Sequence, residues 1–588
     1  MFMKRFRTAA LAFILIALVI LPSCSMPFSA DKARQTTLKI GVENIKGGFN
    51  PFFDGEDIDS VIMTQMFETV QRQGNENRFE NLCGSITYEF LEGDRVKYTV
   101  SLDDDVMFSD GTYATIDDVI FYYYVLADAS YDGRFSDWYL NDIQGLKAFY
   151  YDDKNYEEKL SEIDEQSESK SERDKKTKEY IKKNYSDGIS VSEISGIKKI
   201  SNRACTITFN SVNINAISQI NPLIVSKAAY GAGYVKGKAE IIKENAETPI
   251  GSGPYKFKSF NKNSGFLTMT ANERYHGETP GFDSLRFIDL TAKKLDGIKA
   301  VVNGTVDICE TTANTEKMNA VSSSGLRFGV TDSPFYTSII FNCKNIDENM
   351  RKGIMSLANW TGEAKTDYDG CFTALYRPLS ARFGEYPPDV TEPFYPVDGK
   401  KAEEFFKEAG CKKTGEKLLD FEGNAVSYKM LCLSDGKDVL AKVANSFITS
   451  LKSVGVELKV DFVDEEEYLK SQKKHSADMW CGPVYDNTTC DKYEYYHTGG
   501  SLNYSLVSDL VLDLLLEETR KCTDYSERCS QTASMLKVVM STAAELPLYQ
   551  LKTITVYNTQ VIDENSIPLD ADLQGCRYII PELRPVEK

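Results

Sequence analysis

The sequence predicts an α/β protein with two or three domains. The clearest evidence is a strand–helix–strand unit: residues 427–433 are strand-like, Asp438 is a suitable helix cap, and residues 456–462 alternate between apolar and polar side chains. Two strands joined by a helix of this length form a parallel, right-handed crossover. Alternation at residues 38–42 and 97–102 predicts further strands. With 588 residues the chain is long enough for several well-buried cores.

The composition is that of a soluble globular protein. Apolar residues make up 42% of the chain, charged residues 26%, and the formal net charge is -19. An acidic surface repels phosphate-rich partners, so the charge disfavours nucleic acid and anionic lipid surfaces as binding partners. We therefore expect no nucleic-acid partner.

The N-terminus has the features of an export signal. Basic residues precede an apolar run over residues 9–21, which is too short to span a bilayer and suits a signal-peptide core. The following Leu-Pro-Ser-Cys resembles the lipobox of bacterial lipoproteins, although Pro22 departs from the usual small residue. The resemblance implies a signal peptide over 1–23, lipidation of Cys24 and a polar tether over 24–36. The alternative is an ordinary secretory signal with a chance cysteine.

The remaining elements follow from periodicity and capping residues. Residues 60–72 place apolar side chains on one helical face, and Thr115 with Asp118 forms a capping-box pattern that starts a helix near Ile116. Residues 194–209 predict two short strands. Further helices are predicted over residues 225–230, 293–303, 401–409, 508–521 and 526–544, and a last strand over 548–556.

Residues 152–187 differ from the rest of the chain. They are rich in Glu, Lys, Ser and Asp and contain few apolar residues. Such a segment forms either a solvated helix with i,i+4 ion pairs or a disordered excursion, and the pattern leaves both open.

The sequence contains no recognised catalytic or metal-binding motif. None of the 13 cysteines forms a CxxC pair or lies at zinc spacing from histidines, and several fall in apolar runs typical of buried thiols. His276, His475 and His497 are far apart in sequence. The aspartates at 103–105 adjoin a turn and are interpreted as a solvated charge cluster. We therefore expect no catalysis, no metal site and no cofactor.

Two segments resemble one protein family. Residues 249–275 combine a Pro-x-Gly-x-Gly-Pro-Tyr turn with a later Asn-x-x-Tyr, and residues 108–119 read Phe-Ser-Asp-Gly-Thr followed by Thr-x-x-Asp-Val. Both are similar to segments of the extracytoplasmic solute-binding proteins of peptide/nickel-type ABC importers, family 5. The resemblance implies a two-lobed α/β fold, periplasmic-binding-protein-like (type II), with an extra sub-domain in the first lobe.

The resemblance also implies domain boundaries. Lobe I would comprise residues 37–78, 209–305 and 547–588, lobe II residues 306–546, and the extra sub-domain residues 79–208 with 152–187 as an insertion. Hinge strands are expected near residues 306–309 and 547–551.

The expected ligand surface lies within residues 476–508, a polar, aromatic-rich segment interpreted as a loop. Its Trp-Cys pair matches oligopeptide-binding members, and its Ser-x-Asn-Tyr resembles the family's serine–asparagine segment. Those members have an aspartate where Pro483 stands, so Asp486 or Asp491 would supply the carboxylate instead. The alternative is that the segment only packs between lobes. The candidate ligand contacts are Trp480, Cys481, Tyr485, Asp486, Asn503 and Tyr504, with Asn50 and Phe52 from the loop after the first strand.

The function implied by the resemblance is that of the membrane-anchored, extracytoplasmic binding component of an ABC importer. It would capture a peptide or peptide-like solute between its lobes and deliver it to the permease. We expect a monomer. Two alternatives stay open: a surface receptor lipoprotein that senses a peptide without transport, and an extracellular hydrolase. Sugars and metal chelates also remain open as ligands.

Overall fold

The computed structural model describes residues 36–55, 57–73, 79–245, 248–333, 335–433, 437–485, 489–568 and 580–587. No helix within these ranges combines the length and the apolar character that a membrane crossing requires. The predictions for the signal peptide, Cys24 and Asp486 fall outside the described residues.

The N-terminal elements alternate between short helices and strands. The strands are β1 (Thr37–Val42), β2 (Gln71–Gln73), β3 (Phe79–Asn81), β4 (Gly84–Phe90), β5 (Val96–Leu102), β6 (Ile197–Lys199), β7 (Ala204–Phe209), β8 (Tyr255–Asn261), β9 (Phe266–Ala271), β10 (Ser284–Asp289) and β11 (Ile308–Thr312). The helices are α1 (Asp57–Met63), α2 (Ile116–Leu126), α3 (Leu146–Tyr151), α4 (Tyr156–Glu165), α5 (Lys170–Asp187), α6 (Ala216–Ile220), α7 (Lys227–Tyr230), α8 (Glu240–Glu244), α9 (Leu290–Lys293) and α10 (Gly297–Val302).

The C-terminal elements include longer helices. The strands are β12 (Arg327–Asp332), β13 (Phe335–Phe341), β14 (Phe372–Ala374), β15 (Lys412–Thr414), β16 (Lys417–Leu419), β17 (Ser427–Leu433), β18 (Glu457–Val463), β19 (Met479–Tyr485) and β20 (Glu545–Tyr557). The helices are α11 (Thr315–Ser324), α12 (Glu348–Met355), α13 (Thr361–Tyr368), α14 (Gly399–Glu408), α15 (Lys437–Val454), α16 (Glu465–Lys474), α17 (Tyr493–Tyr496), α18 (Leu510–Lys521) and α19 (Tyr525–Thr542).

A mixed twelve-stranded sheet runs through the protein. Its order is β18-β17-β19-β13-β20-β11-β1-β10-β9-β8, with β12 and β14 also paired to β20. We call β1 and β8–β11 the first sheet half, and β13 and β17–β19 the second sheet half. Separate hydrophobic cores cover the two halves. A four-stranded sheet, β4-β5-β7-β6, packs in the same core as the first half.

Strand β20 joins the two sheet halves. Its residues 553–557 pair with β11, whereas residues 545–549 pair with β13. Strands β12 and β13 pair with the same edge of β20. These three strands form a ribbon between the sheet halves, which we call the crossing ribbon. At the point of passage, the fully buried Gln550 donates to the Ser333 carbonyl at 2.6 Å and to Ser380 Oγ at 2.7 Å. The partner strands of β20 therefore change around residues 549–553.

The most local predictions are confirmed. Strands β17 and β18 pair in parallel along their full length, joined by α15. The capping box is present, because the Thr115 backbone N–H donates to Asp118 Oδ2 at 2.7 Å and α2 begins at Ile116. The cysteines of the described residues are free thiols, most of them buried.

The helix predicted over residues 60–72 is wrong in its length, because α1 ends at Met63. The next carbonyls leave the helical pattern to bind another segment. Met66 accepts the N–H of Gly253 at 2.8 Å, and Gln65 accepts the N–H of Tyr255 at 2.9 Å. A tertiary contact therefore overrides the helical periodicity here.

The interpretation of residues 476–508 as a loop is wrong at its start. Residues 479–485 form β19, which lies between β13 and β17 in the interior of the sheet. Gly482 and Pro483 favour a turn in local terms, but two neighbouring strands bury this stretch and fix it as extended chain.

The charged segment forms helices rather than a disordered excursion. Helices α4 and α5 occupy most of it, with ion pairs such as Lys176–Glu172 at 2.9 Å on the surface. Its base is fixed by a buried pair, because Asp152 accepts from Lys236 at 2.7 Å and from the backbone N–H of Val191 at 2.9 Å.

Candidate functional site

The carboxyl ends of β1, β10 and β11 in the first sheet half, and of β17, β18 and β19 in the second, point toward the passage of β20. Strands β19 and β20 are both antiparallel to β13, so Tyr485, the last residue of β19, lies beside Phe335 on the side where β20 leaves the second half. In the first half, the end of β11 lies beside Thr553 of β20, and β1 and β10 run in the same direction as β11. Ligands of open α/β sheets bind outside the carboxyl ends of strands. The segments after β1 and β19 are therefore the candidate site.

In the first half, the loop after β1 borders a pocket of about 760 Å³. Asn50 is buried and shapes this loop, since its Oδ1 accepts the Phe52 N–H at 3.0 Å and its Nδ2 donates to the Ile242 carbonyl at 3.2 Å. Phe52 is fully buried and packs against Tyr122, with ring centroids 5.0 Å apart. The predicted contact Asn50 thus lines the pocket, whereas Phe52 lies in the core beneath it.

The pocket combines aromatic walls with balanced charges. Phe257 and Phe260 of β8 form one wall. Lys243 pairs with Asp132 at 2.7 Å, and Arg134 donates to the Gly55 carbonyl at 2.5 Å. A pocket of this volume with apolar walls and a few charged groups suits a small organic solute that has charges of both signs.

In the second half, Tyr485 is the exposed predicted contact. Its side chain is 60% exposed, and its ring lies 5.3 Å from that of Phe335 at the same edge. The hydroxyl of Tyr495 donates to the Tyr485 carbonyl, so the next helical segment is tied to the end of β19. This edge presents an aromatic surface on the side of the crossing ribbon.

Trp480 and Cys481 lie inside the sheet rather than at this edge. Trp480 has no exposed surface, and its indole N–H donates to Ser471 Oγ at 3.0 Å. Cys481 is equally buried, and its hydrogen bond with Cys432, together with burial, raises the pKa of the Cys481 thiol well above its usual value. The structure shows these two residues packed within the sheet. A ligand role for them stays a prediction.

Asn503 and Tyr504 lie at the opposite end of β19. Tyr504 contacts His475, which precedes β19, through its carbonyl at 3.2 Å from the imidazole Nδ1. Asn503 is buried and stabilises its own loop, because its amide nitrogen donates to the Val507 carbonyl at 2.8 Å and its amide oxygen accepts from Ser505 Oγ at 2.8 Å. The structure therefore does not bring these two residues together with Tyr485.

A buried ionic cluster between β13, β20 and the segment after β19 has no counterpart among the predicted residues. The Glu545 carboxylate accepts from the Tyr496 hydroxyl at 2.6 Å and the Tyr336 hydroxyl at 3.0 Å, and the buried Lys492 donates to the Tyr336 hydroxyl at 3.3 Å. Burial raises the pKa of Glu545, and the Lys492 ammonium and the two hydroxyls oppose that rise. The cluster fixes the segment after β19 to β20.

Residues near 490 also contact the elements that share the core of the first sheet half, which we call the first half of the protein. Asn215, which precedes α6, donates to Asp491 Oδ2 at 2.5 Å, and Thr489 Oγ1 donates to Asn215 Oδ1. Arg520 of α18 donates to the same Asp491 oxygen at 2.9 Å, and its carbonyl accepts the Ile214 N–H at 2.9 Å. This contact joins a segment of the first half to the segment after β19. Asp491 was an alternative carboxylate in the sequence interpretation, and it is 3% exposed.

Comparison with known proteins assigns the fold. The family described as bacterial extracellular solute-binding proteins, family 5 Middle, matches residues 87–505. The oligopeptide-binding protein AppA of Bacillus subtilis (strain 168) is 26% identical over 308 residues, which are 49% of this chain and 54% of AppA. The chain thus spans about half the length of that relative in the match.

Solved structures show the same two-lobed fold over nearly the whole chain. AppA of Bacillus subtilis in complex with a nonapeptide superimposes with a TM-score of 0.66 at 18% identity, covering 94% of this chain and 100% of AppA. The ABC transporter substrate-binding protein CtaP of Listeria monocytogenes superimposes with a TM-score of 0.71 at 15% identity, covering 94% and 100%. At these identities the likeness is one of fold.

Proposed function

The chain belongs to family 5 of the bacterial extracellular solute-binding proteins, and from that premise we propose that it captures a peptide or peptide-like solute for an ABC importer. Members of this family bind solutes rather than transform them, so the hydrolase alternative is dropped. The solute would bind between the pocket after β1 and the Tyr485 edge of β19.

The observation that supports this proposal most directly is the opposition of the two carboxyl edges. Both sets of parallel strands end at the crossing ribbon, with a pocket on one side and an exposed tyrosine on the other. Bending of the ribbon around residues 549–553 would move one half against the other, which is the hinge closure typical of binding proteins. The Asn215–Asp491 contact would then belong to the closed form.

The proposed solute class follows from the pocket chemistry. Acidic and basic side chains lie close together in the pocket, and phenylalanine rings form its wall. A peptide offers the complementary set: two charged ends, backbone donors and acceptors, and apolar side chains. Micromolar capture requires about 8 kcal/mol. Each hydrogen bond contributes about 0.5–1.5 kcal/mol, so several bonds and buried aromatic surface are needed together. AppA, which is similar to this chain, binds oligopeptides according to its name.

The first test is the identity of the solute that the protein carries. Denaturing the purified protein and analysing the released fraction by mass spectrometry should yield peptides, and those peptides should bind the refolded protein. Release of only a sugar or a metal chelate that rebinds would contradict the peptide class.

The second test concerns Tyr485. Tyr485→Ala should weaken peptide affinity about tenfold, because burial of part of an aromatic ring contributes about 1–2 kcal/mol. Tyr88→Ala is the matched control, since Tyr88 is 48% exposed on β4, away from the candidate site. Equal affinities of the two variants would remove Tyr485 from the site.

The lipid anchor and the permease form the finer part of the proposal. Cys24→Ser should move the protein from the membrane fraction to the soluble fraction, whereas Cys529→Ser should not. Deletion of the permease should abolish uptake of the bound solute. Uptake that persists without this protein would favour the receptor alternative, in which the protein senses a peptide and does not transport it.

A further inference from the structure

Three metal-ligating side chains from distant parts of the chain meet in the first half of the protein. They are Glu68 from the segment after α1, Cys83 immediately before β4, and His276 from the turn after β9. One ligand atom from each lies within 4.8 Å of the other two. Glu68 Oε1 is 2.9 Å from His276 Nε2. Their spacing along the chain gives no hint of this cluster.

The cluster is buried and its carboxylate is incompletely satisfied. Cys83 is fully buried, Glu68 is 3% exposed, and the His276 side chain is 9% exposed. Glu68 Oε2 is buried and has no hydrogen-bond partner among the described residues. An unpaired buried carboxylate oxygen costs stability unless a cation or donor meets it. The free oxygen therefore indicates that the cluster is built to take a further group.

The turn at residues 249–254 holds this cluster in place. The Gly253 N–H donates to the Met66 carbonyl at 2.8 Å, and a Cβ on Gly251 would lie 2.1 Å from that carbonyl oxygen. The close approach fixes the segment that ends in Glu68. Asn272 Nδ2 donates to the Gly253 carbonyl at 2.8 Å and so fixes the turn that carries His276. Two of the three ligands are thus attached to one rigid turn.

We propose that Glu68, Cys83 and His276 form a binding site for a thiophilic divalent cation, with Zn²⁺ as the preferred ion. A thiolate, an imidazole and a carboxylate are the three ligand types that Zn²⁺ takes, at about 2.0–2.3 Å from the metal. Ligand atoms around such an ion lie about 3–4 Å apart, a spacing that fits inside the observed 4.8 Å limit. Hard cations such as Mg²⁺ prefer oxygen ligands and do not suit this set.

The protons balance in this assignment. Without metal, the Cys83 thiol donates to the Thr69 carbonyl at 3.2 Å, so the thiol carries its proton. A divalent cation would displace this proton and bind an unprotonated nitrogen of the His276 imidazole. This leaves a thiolate, a neutral imidazole and a carboxylate around the ion. The filled site has no net charge, as a buried site requires.

The aspartates at 103–105 adjoin the cluster. The Asp103 N–H donates to the Cys83 carbonyl at 3.1 Å, and the three aspartates are exposed. Negative potential near a site concentrates cations there. His276 is the least buried of the three ligands.

The site is separate from the candidate solute site. The turn with His276 follows β9, whose last residues pair with the start of β10, so it lies at the edge opposite the carboxyl ends of β1 and β10. A cation here would join three loops of the first half and stabilise them without touching the solute. The inference therefore does not depend on the proposed function.

Cobalt and zinc titrations of the chelator-treated full chain test the assignment. We expect one Zn²⁺ per chain by elemental analysis, a higher melting temperature with Zn²⁺, and a near-ultraviolet thiolate-to-cobalt charge-transfer band with Co²⁺. A wild-type protein that takes up neither ion in a one-to-one ratio overturns the proposal.

Variants separate the site from general effects on folding. Cys83→Ser should abolish the charge-transfer band, whereas Cys205→Ser, which alters another fully buried thiol, should keep it. His276→Gln should weaken Zn²⁺ binding more than about 100-fold, since losing outer-shell partners alone costs about 10- to 100-fold. Its metal-free melting temperature reports whether the variant folds. An unchanged band in Cys83→Ser, or unchanged Zn²⁺ affinity in a folded His276→Gln, would refute the site.

Discussion

Asn215 offers the sharpest test of how the two halves of the protein are held together. Its amide nitrogen donates to Asp491 Oδ2 at 2.5 Å and its amide oxygen accepts from Thr489, whereas its own helix belongs to the core of the first half. Asn215 is 9% exposed and Asp491 3% exposed, so water has little access to these bonds in the structure. Asn215→Ala removes both bonds and leaves the rest of the first half unchanged.

The free energy lost in Asn215→Ala follows from the types of the two hydrogen bonds. A hydrogen bond to a charged group contributes about 1.5–3 kcal/mol and a neutral one about 0.5–1.5 kcal/mol. Together the two stabilise the joined arrangement by about 2–4.5 kcal/mol, which corresponds to a change of about 30- to 1,600-fold in the equilibrium between joined and separated halves. Where the solute binds only the joined form, its affinity falls by up to the same factor.

Small-angle X-ray scattering and calorimetric titration of a bound solute measure the two consequences. Asn215→Ala should increase the radius of gyration of the solute-free protein and weaken solute binding. Asn245→Ala is the matched control, because the Asn245 amide nitrogen also makes two bonds, to the carbonyls of Tyr230 and Ala232 at 2.9 Å, but within the first half. The control should change neither quantity.

Asn215→Asp should have a larger effect than the alanine variant, since it places a second carboxylate against Asp491. Two like charges in a buried contact repel each other strongly. Identical scattering and identical solute affinity in the wild type and both Asn215 variants would refute the reasoning that this contact controls closure.

Three further predictions concern stability, each measured as the free energy of unfolding in urea. Trp480→Ala should lower it by about 3–5 kcal/mol, because the indole is fully buried; unchanged solute affinity in Trp480→Phe would remove this residue from the ligand site. Gly251→Ala should lower it by about 1–3 kcal/mol through overpacking, because the added Cβ would meet the Met66 carbonyl oxygen at 2.1 Å. Asp152→Asn should lower it by about 3 kcal/mol at neutral pH, because the buried Lys236 loses its carboxylate partner and keeps only the Val191 carbonyl at 2.8 Å.

The Asp152 prediction has a defined pH dependence. Burial raises the pKa of Asp152, but its bonds from Lys236 and from two backbone N–H groups outweigh burial and lower the pKa below the ordinary 3.8. A lowered pKa of an acid contributes stability above pH 3.8 that is lost as the pH falls through the folded-state pKa. The difference between wild type and Asp152→Asn should therefore be constant near neutrality and shrink in acid. A difference that persists unchanged at low pH contradicts this assignment.

The chain offers a matched control for the Gly251→Ala prediction. Gly362→Ala adds a Cβ at an exposed position of α13 with no atom within 4 Å, and it should leave stability unchanged or raise it by up to about 1 kcal/mol. A loss equal to that of Gly251→Ala would mean that the Met66 contact is not the cause.

The sequence predicted those features that depend on neighbouring residues. The capping box at Thr115 and the parallel unit formed by β17 and β18 are set within a few turns of chain, so periodicity and capping residues suffice. The end of α1 depends instead on a turn almost two hundred residues later, which captures the Met66 carbonyl. Helical periodicity has no information about that competitor.

The candidate site shows the same limit in a stricter form. Tyr485 and Asn503 lie close in sequence and share a polar, aromatic surrounding, yet they belong to opposite ends of β19. Composition identified the segment, but only the pairing of β19 with its two neighbours decides which end faces the crossing ribbon. Glu545 and Lys492 were not predicted, because a charged residue in a sequence normally indicates a solvated surface. Their burial is made possible by the tyrosine hydroxyls of β13 and α17, which lie far from Glu545 in sequence. Charged residues buried at the junction of two elements are thus the features that sequence reasoning alone places wrongly, and here they include the groups that connect the segment after β19 to β20.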